Sequence, residues 1–180
     1  MNAIDLLLRD HRRIRRLLRD LVEAQDAALR GEIFGLAEEA LQVHSALEED
    51  LFYPAVRRAA GTDAAEELYI KSRDEHKLVD TIVPHLRFVN RRSNAFNAKA
   101  RLAREVIEQH IENEYRELFP LAEAVLTPRE LDDLGARMER SGRLLHGKPI
   151  LAAQSRMFDC DRDGLRFASP FFTVISSVGC

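Results

Sequence analysis

The chain has 180 residues, which suits one domain that can bury a core without disulfides. Hydrophobic residues make up 46% and charged residues 32%, and Trp is absent, so the composition favours a helical globular protein. The net charge of −3 argues against a nucleic-acid binder, and the two cysteines are too few for a disulfide framework.

The cysteine count and the lack of long apolar segments also bear on location. The apolar runs at residues 6–8 and 171–178 are too short for a signal peptide or a membrane span. We therefore expect a cytoplasmic protein that binds no membrane and no nucleic acid, as a monomer or weak homo-oligomer.

Apolar residues recur at helical spacing through the first 146 positions. They predict four long helices and a shorter fifth, at about 3–29, 33–59, 64–89, 96–125 and 128–146. The expected fold is all-α, an up-down-up-down four-helix bundle over residues 1–148. Residues 149–180 are expected to form an irregular or partly ordered C-terminal extension.

Four breaks separate the predicted helices. Gly31 marks the first break, and Gly61 marks the second. A polar turn at residues 90–94 forms the third. Thr127, with Pro128 after it and an acidic residue three positions on, has the sequence of a helix N-terminus.

Two stretches of the chain repeat one pattern. A His is followed four residues later by a Glu and ten residues later by a Pro, with a Phe shortly before the Pro. The members are His44, Glu48, Phe52 and Pro54 in the first copy, and His110, Glu114, Phe119 and Pro120 in the second.

Two single histidines precede these motifs at matching distances. His11 lies 33 residues before His44, and His76 lies 34 residues before His110. The midpoints of successive histidines fall near the predicted breaks, so an antiparallel bundle would bring all four to one height. Each of the four histidines lies on an apolar stripe, and Glu48 and Glu114 share the faces of His44 and His110, four residues before them.

This arrangement favours a metal site. Two buried glutamates are costly unless compensated, and four neutral imidazoles cannot offset two negative charges. Two cations can, and imidazole with carboxylate suits iron, zinc or manganese. The predicted ligands are His11, His44, Glu48, His76, His110 and Glu114.

Other polar residues near the pattern receive a plainer interpretation. A single His on an apolar face is usually a core residue, so only the matched set favours ligation. His85 and His146 lie outside the pattern and are interpreted as surface residues. Asp10 and Glu75 are also interpreted as surface residues, and Glu49 as a solvated or outer carboxylate beside the ligands.

The six residues and their spacing resemble the hemerythrin-like HHE cation-binding family, over about residues 3–125. The opening residues and the fifth helix resemble a bacterial subgroup. The resemblance implies a hemerythrin-like bundle around two Fe ions with an oxo or hydroxo bridge, with Zn or Mn less favoured. It also implies four terminal histidine ligands and bridging by Glu48 and Glu114.

The sequence departs from the oxygen-carrying members in one respect. Those proteins have two histidines four residues apart on the third helix, whereas Ser72 and Asp80 flank His76 here. One ligand fewer predicts a more open and reactive centre that would decompose peroxide, as a catalase does, or bind O2 or NO. Tyr69 is a candidate electron donor, with a core tyrosine as the plainer interpretation.

Three alternatives follow from other features. A sensor or iron-binding protein without turnover would use the same ligands. The Arg-rich first helix could bind nucleic acid, but a solvated face fits the acidic composition better. Asp159, Asp161 and Asp163 resemble the start of a calcium loop, but Pro170 stands where that loop needs Glu.

Overall fold

The computed structural model describes residues 1–145, which form helices joined by short turns and contain no strand. The helices are α1 (Ala3–Glu23), α2 (Ala27–Leu47), α3 (Tyr53–Ala60), α4 (Asp63–His85), α5 (Asn94–Asn113), α6 (Phe119–Val125) and α7 (Pro128–Leu145). None of these helices is both long and apolar enough to cross a membrane.

Four rods form the bundle. A π-helical turn joins α2 to α3, and another joins α5 to α6, so each pair continues as one rod beside α1 and α4. Helix α1 packs against α2 and α5, while α4 packs against α3 and α5. The predicted all-α bundle is confirmed, and so is the short fifth helix, α7. The predicted extension at 149–180 and His146 lie outside the described residues.

The first break lies earlier than expected. Helix α1 ends at Glu23 and α2 begins at Ala27, so the prediction of a break at Gly31 is wrong. The Asp26 side chain accepts a hydrogen bond from the Leu29 N–H at 2.8 Å and caps α2. The Asp26 cap fixes the start of α2 before Gly31. Gly31 then lies inside the helix, where a glycine costs only about 1 kcal/mol.

The later breaks agree with the sequence. Gly61 ends α3 with a φ of 59°, the left-handed conformation that glycine adopts without strain. Thr62 caps α4 by accepting from the Ala65 N–H, at 3.3 Å. Thr127 and Glu130 cap α7 reciprocally, since the Thr127 N–H donates to Glu130 at 2.8 Å and the Glu130 N–H donates to Thr127 at 3.3 Å.

The repeated prolines explain the two π-helical turns. These turns begin at Glu48 and Glu114, shortly before Pro54 and Pro120. A proline ring clashes with the carbonyl four residues before it, and a wider turn moves that carbonyl away. In the first copy the Tyr53 N–H bonds to the Glu48 carbonyl, five residues back, and the second copy has the same pattern.

Two apolar clusters fill the bundle, one on either side of the height of His11. Helix α1 contributes Leu7 to one cluster and Ile14 to the other, so His11 lies at their boundary. The first cluster also contains Leu6, Leu47, Phe52, Phe119, Leu134 and Met138. The second also contains Phe34, Leu41, Val83, Phe96, Ile107 and Ile111.

Arg30 ties two turns together at one end of the bundle. Its side chain is 4% exposed, and its Nε donates to the Ala24 carbonyl at 2.7 Å. Its Nη1 donates to the Arg91 carbonyl in the turn between α4 and α5. The guanidinium also lies over the Phe96 ring, 5.8 Å from its centroid.

Replacing Arg30 by Met should destabilise the bundle. The change keeps the apolar stem but leaves the Ala24 and Arg91 carbonyls without their donor, so we expect about 1–3 kcal/mol lower free energy of unfolding in urea. Arg101→Met, at an exposed position of α5, serves as the control and should change stability by no more than about 0.5 kcal/mol. Equal losses in both variants would contradict this role of Arg30.

Candidate metal centre

The structure brings the six predicted ligands together in the middle of the bundle. Each rod contributes one histidine, and the two π-helical turns each contribute a glutamate as their first residue. No member of the set is more than 4% exposed. The residues are His11, His44, Glu48, His76, His110 and Glu114.

Their ligand atoms form two groups. One group contains His11, His44, Glu48 and Glu114, and the other contains Glu48, His76 and His110. Within each group all ligand atoms lie within 4.8 Å of one another. Glu48 belongs to both groups, so the arrangement could hold two cations that share a carboxylate.

The first group is arranged around a pair of facing imidazoles. The Nε2 atoms of His11 and His44 are 2.9 Å apart. Glu114 Oε2 lies 3.1 Å from His11 Nε2, and Glu48 Oε1 lies 3.2 Å from His44 Nε2. Both glutamates therefore reach this pair.

The second group repeats this geometry. The Nε2 atoms of His76 and His110 are 3.1 Å apart. Glu48 Oε2 lies 3.2 Å from His76 Nε2, and Glu114 Oε2 lies 3.7 Å from His110 Nε2. Each carboxylate thus extends between the two histidine pairs, which is the placement that a bridging ligand needs.

Tyr53 is a member of the centre that sequence reasoning missed. Its hydroxyl donates to Glu114 Oε1 at 2.8 Å and lies 3.2 Å from both Glu48 Oε2 and His76 Nε2. Burial and the two carboxylates raise the pKa of Tyr53 well above its usual value, so the phenol keeps its proton. The available signal was its place directly before Pro54, where the second copy has Phe119.

Tyr69, the tyrosine singled out from the sequence, lies elsewhere. Its hydroxyl accepts from Arg73 Nη1 at 3.3 Å, and its ring lies 4.7 Å from the Arg57 guanidinium. The structure therefore places Tyr53, and not Tyr69, against the cluster.

Two carboxylates outside the ligand set orient the second histidine pair. Glu49 Oε1 lies 2.8 Å from His76 Nδ1, which confirms its interpretation as an outer carboxylate. Glu75 Oε2 lies 2.8 Å from His110 Nδ1, so its interpretation as a surface residue is wrong. Glu75 reaches across from α4 to α5, and Asn113 Nδ2 holds its other oxygen at 2.6 Å.

The positions four residues before and after His76 differ in exposure. Ser72 is buried, whereas Asp80 is exposed. Asp80 belongs to neither of the two ligand groups found among residues 1–145. His85 is exposed, as predicted.

Burial and the charges of neighbouring ligands shift the pKa values of the cluster in opposite directions. Burial raises the pKa of Glu48, and the charge of Glu114 raises it further. Burial also lowers the pKa of His44 well below its usual value. For His76 burial opposes the charge, but hydrogen bonds to Glu48 and Glu49 outweigh it and raise the pKa to about 10.

Two carboxylate oxygens in the cluster have no hydrogen-bond partner, and they indicate what the cluster could bind. Glu48 Oε1 and Glu114 Oε2 are buried and accept no hydrogen bond. A buried carboxylate oxygen without a donor is costly, and a cation satisfies it. Imidazole nitrogen with carboxylate oxygen suits iron, manganese or zinc, so the residues present fit a metal.

Comparison with known proteins agrees with this geometry. Residues 2–122 match the hemerythrin HHE cation-binding domain family. The chain belongs to this family. The HHE relatives include uncharacterized proteins of Mycobacterium tuberculosis and Mycobacterium bovis, each 30% identical over 159 residues, or 87% of this chain and 94% of the relative.

A solved structure supports the fold of this HHE protein. The crystal structure of an HHE domain-containing protein from Mycobacterium kansasii superposes with a TM-score of 0.73 at 25% identity, covering 88% of this chain and 94% of that one. A DNA nickase of Nostoc is 26% identical over 119 residues, 66% of this chain but 33% of the nickase.

Metal binding should stabilise the bundle through the cluster. Metal at about 100 times its Kd adds about 2.7 kcal/mol for one site. We expect Fe²⁺, added without oxygen, to raise the Tm of protein that a chelator has freed of metal. The His110→Ala variant should lose most of this rise in Tm. His85→Ala is the control, since it removes an exposed histidine and should keep the full shift. An undiminished shift in His110→Ala would mean that the metal binds elsewhere.

Proposed function

We propose that this HHE protein binds two iron ions and reacts with oxygen species, most readily by decomposing peroxide as a catalase does. The observation that carries the proposal is the pair of ligand groups that share the buried carboxylate of Glu48. The four histidines and two glutamates would be the ligands, with Glu48 and Glu114 bridging. The proposed partners are small molecules: H2O2, O2 and NO.

The number of ligands supports reactivity over closed structural binding. Two six-coordinate metals need about twelve bonds, of which four histidines and two bridging glutamates supply about eight. An oxo or hydroxo bridge would take about two more, which leaves about two positions open to solvent or substrate. Iron held by these residues would supply the redox chemistry that converts two H2O2 into O2 and two H2O.

A small cavity beside the ligands supports a small substrate. Its volume is about 10 Å³, close to the space that one water needs. His44, His76 and His110 line one side of it. The rest of its wall is Ser45 with the apolar residues Ile14, Leu41, Val79, Ile107 and Ile111. A cavity of this size excludes organic substrates, and a molecule with two heavy atoms, such as H2O2, O2 or NO, would enter with a small movement of the side chains that line it.

Tyr53 would keep a proton available at the centre. Its hydroxyl lies between Glu48, Glu114 and His76, and its raised pKa keeps it protonated. Decomposing two peroxides to water and O2 moves two protons from one molecule to the other. The Tyr53 hydroxyl could donate its own proton to one neighbouring group and take up a replacement from another, which would relay a proton across the centre.

Peroxide turnover by the iron-loaded protein tests this proposal. We expect O2 release and loss of H2O2 in proportion to bound iron, and near-ultraviolet absorption from the oxidised iron pair. His76→Ala should lower turnover at least about 10-fold. Loss of a group that only supports a ligand already costs about 10–100-fold, so loss of the ligand itself should cost no less. His85→Ala, the exposed control, should retain turnover. Full turnover in His76→Ala would sink the assignment.

The alternative is a sensor of iron, oxygen or redox state, or an iron-binding protein without turnover. The cluster joins α1, α2, α4 and α5, so metal loading would change bundle stability strongly. Binding of two iron ions without peroxide turnover would favour this function. The cytoplasmic location, the monomer or weak homo-oligomer and the lack of a nucleic-acid partner stay predictions.

Filling the small cavity should block substrate but not metal. Val79→Phe places a larger side chain in its wall, at a stability cost of about 1–3 kcal/mol. We expect a lower rate of peroxide loss per bound iron. Val83→Phe is the matched control, because Val83 is a buried valine one turn further along α4 that does not line the cavity. Equal rates in both variants would show that this cavity is not the route.

A further inference from the structure

The two halves of the centre have the same kinds of ligand. Each half has two histidines whose Nε2 atoms face each other, at 2.9 Å in one and 3.1 Å in the other. Both glutamates extend to both pairs, at distances between 3.1 and 3.7 Å for the nearest contacts. The two ligand groups differ in one respect, since Glu114 belongs to the group of His11 and His44 but not to the group of His76 and His110.

The atoms behind the ligands differ between the halves. His76 Nδ1 lies 2.8 Å from Glu49, and His110 Nδ1 lies 2.8 Å from Glu75. Asn113 Nδ2 also donates to the second of these carboxylates, Glu75, at 2.6 Å and holds it in place. The second pair of histidines is therefore backed by two anionic groups.

The first pair has no such partners. The Nδ1 atoms of His11 and His44 are buried and make no hydrogen bond. The ring of His11 is instead covered by Phe119, stacked at 5.8 Å between centroids, and by Tyr115, also at 5.8 Å. Apart from the ligand glutamates, the contacts of the His11 ring described here are therefore aromatic.

The sequence repeat shows where the symmetry is broken. Glu75 stands directly before His76, and the matching position before His11 is Asp10. Asp10 has one methylene fewer and bonds to the Arg9 guanidinium at 3.1 Å. The repeat keeps the ligand but not the outer carboxylate.

The other outer position is broken in the same way. Glu49 stands directly after Glu48, and the matching residue after Glu114 is Tyr115. Tyr115 offers a ring to His11 where Glu49 offers a carboxylate to His76. Both outer carboxylates thus serve one half of the centre.

An outer carboxylate strengthens a metal site. It accepts the Nδ1–H proton, fixes the tautomer with Nε2 free for the metal, and makes that nitrogen a better donor. Removing one such partner typically costs about 10–100-fold in metal affinity. Two outer partners behind His76 and His110, and none behind His11 and His44, should outweigh the one carboxylate by which the first ligand group is larger.

We propose that the two metal positions are unequal: the position at His76 and His110 binds first and more tightly, and the position at His11 and His44 binds second and exchanges more readily. Glu49 and Glu75 are positioning residues that set this difference. The inference rests on the proposed two-metal centre and adds an order of filling to it.

A Co²⁺ titration of the metal-free full-length protein tests the order, followed by visible absorption and by metal analysis after desalting. We expect two binding steps and two ions per chain. His110→Ala should remove the tight step, and His44→Ala should remove the weak one.

Variants that replace the two outer glutamates by neutral glutamine test whether these carboxylates cause the difference in affinity. Glu49→Gln with Glu75→Gln should weaken the tight step by at least about 10-fold, and each single change should weaken it by less. Glu66→Gln is the matched control, since it removes a carboxylate of α4 whose partner is Arg57, at 2.8 Å. Thermal melting of the metal-free variants checks their fold, and the single variants replace the double variant if it is unfolded.

The outcomes separate this inference from the proposed function. Fewer than two ions per chain would overturn the two-metal function. Two ions with equal affinities, or glutamine variants that bind like Glu66→Gln, would overturn the unequal positions and leave that function standing. A tight step that survives His110→Ala but not His44→Ala would reverse the order and overturn the inference too.

Discussion

The whole bundle is organised around two carboxylates placed where water cannot reach them. Glu48 and Glu114 each have an oxygen that accepts no hydrogen bond, and four imidazoles surround them. Such an arrangement costs free energy in an isolated chain. The apolar clusters on both sides keep the site dry, which strengthens every interaction that a bound cation would make there.

Local backbone chemistry places these groups. Asp26 and Thr62 fix where α2 and α4 begin, and therefore the height at which each rod presents its histidine. Helix α7 packs against α1 and α2 and contributes Leu134 and Met138 to the cluster below the site. The fifth helix thus packs against the two helices that contribute His11 and His44.

Sequence reasoning found what a single helix can show. Periodicity and matched spacing predicted the fold and the convergence of all six residues, because each lies on the apolar stripe of its own helix. It misassigned Glu75, whose partner lies on another helix, and overlooked Tyr53, whose hydroxyl reaches the centre only after the rods pack. Such contacts depend on distances between rods, which no repeat within the sequence records.

The π-helical turns have a consequence for which side chains can face the same point. Glu48 and Tyr53 are five residues apart, and in a regular α-helix they would project about 140° from each other. The widened turn brings them into line, so one rod offers both a carboxylate and a phenol to the centre. Deleting a single residue between them would restore regular winding and leave the two four residues apart, about 40° from each other, so they would still face one point. The π-helical turn is therefore the device that accommodates one extra residue without separating the carboxylate from the phenol.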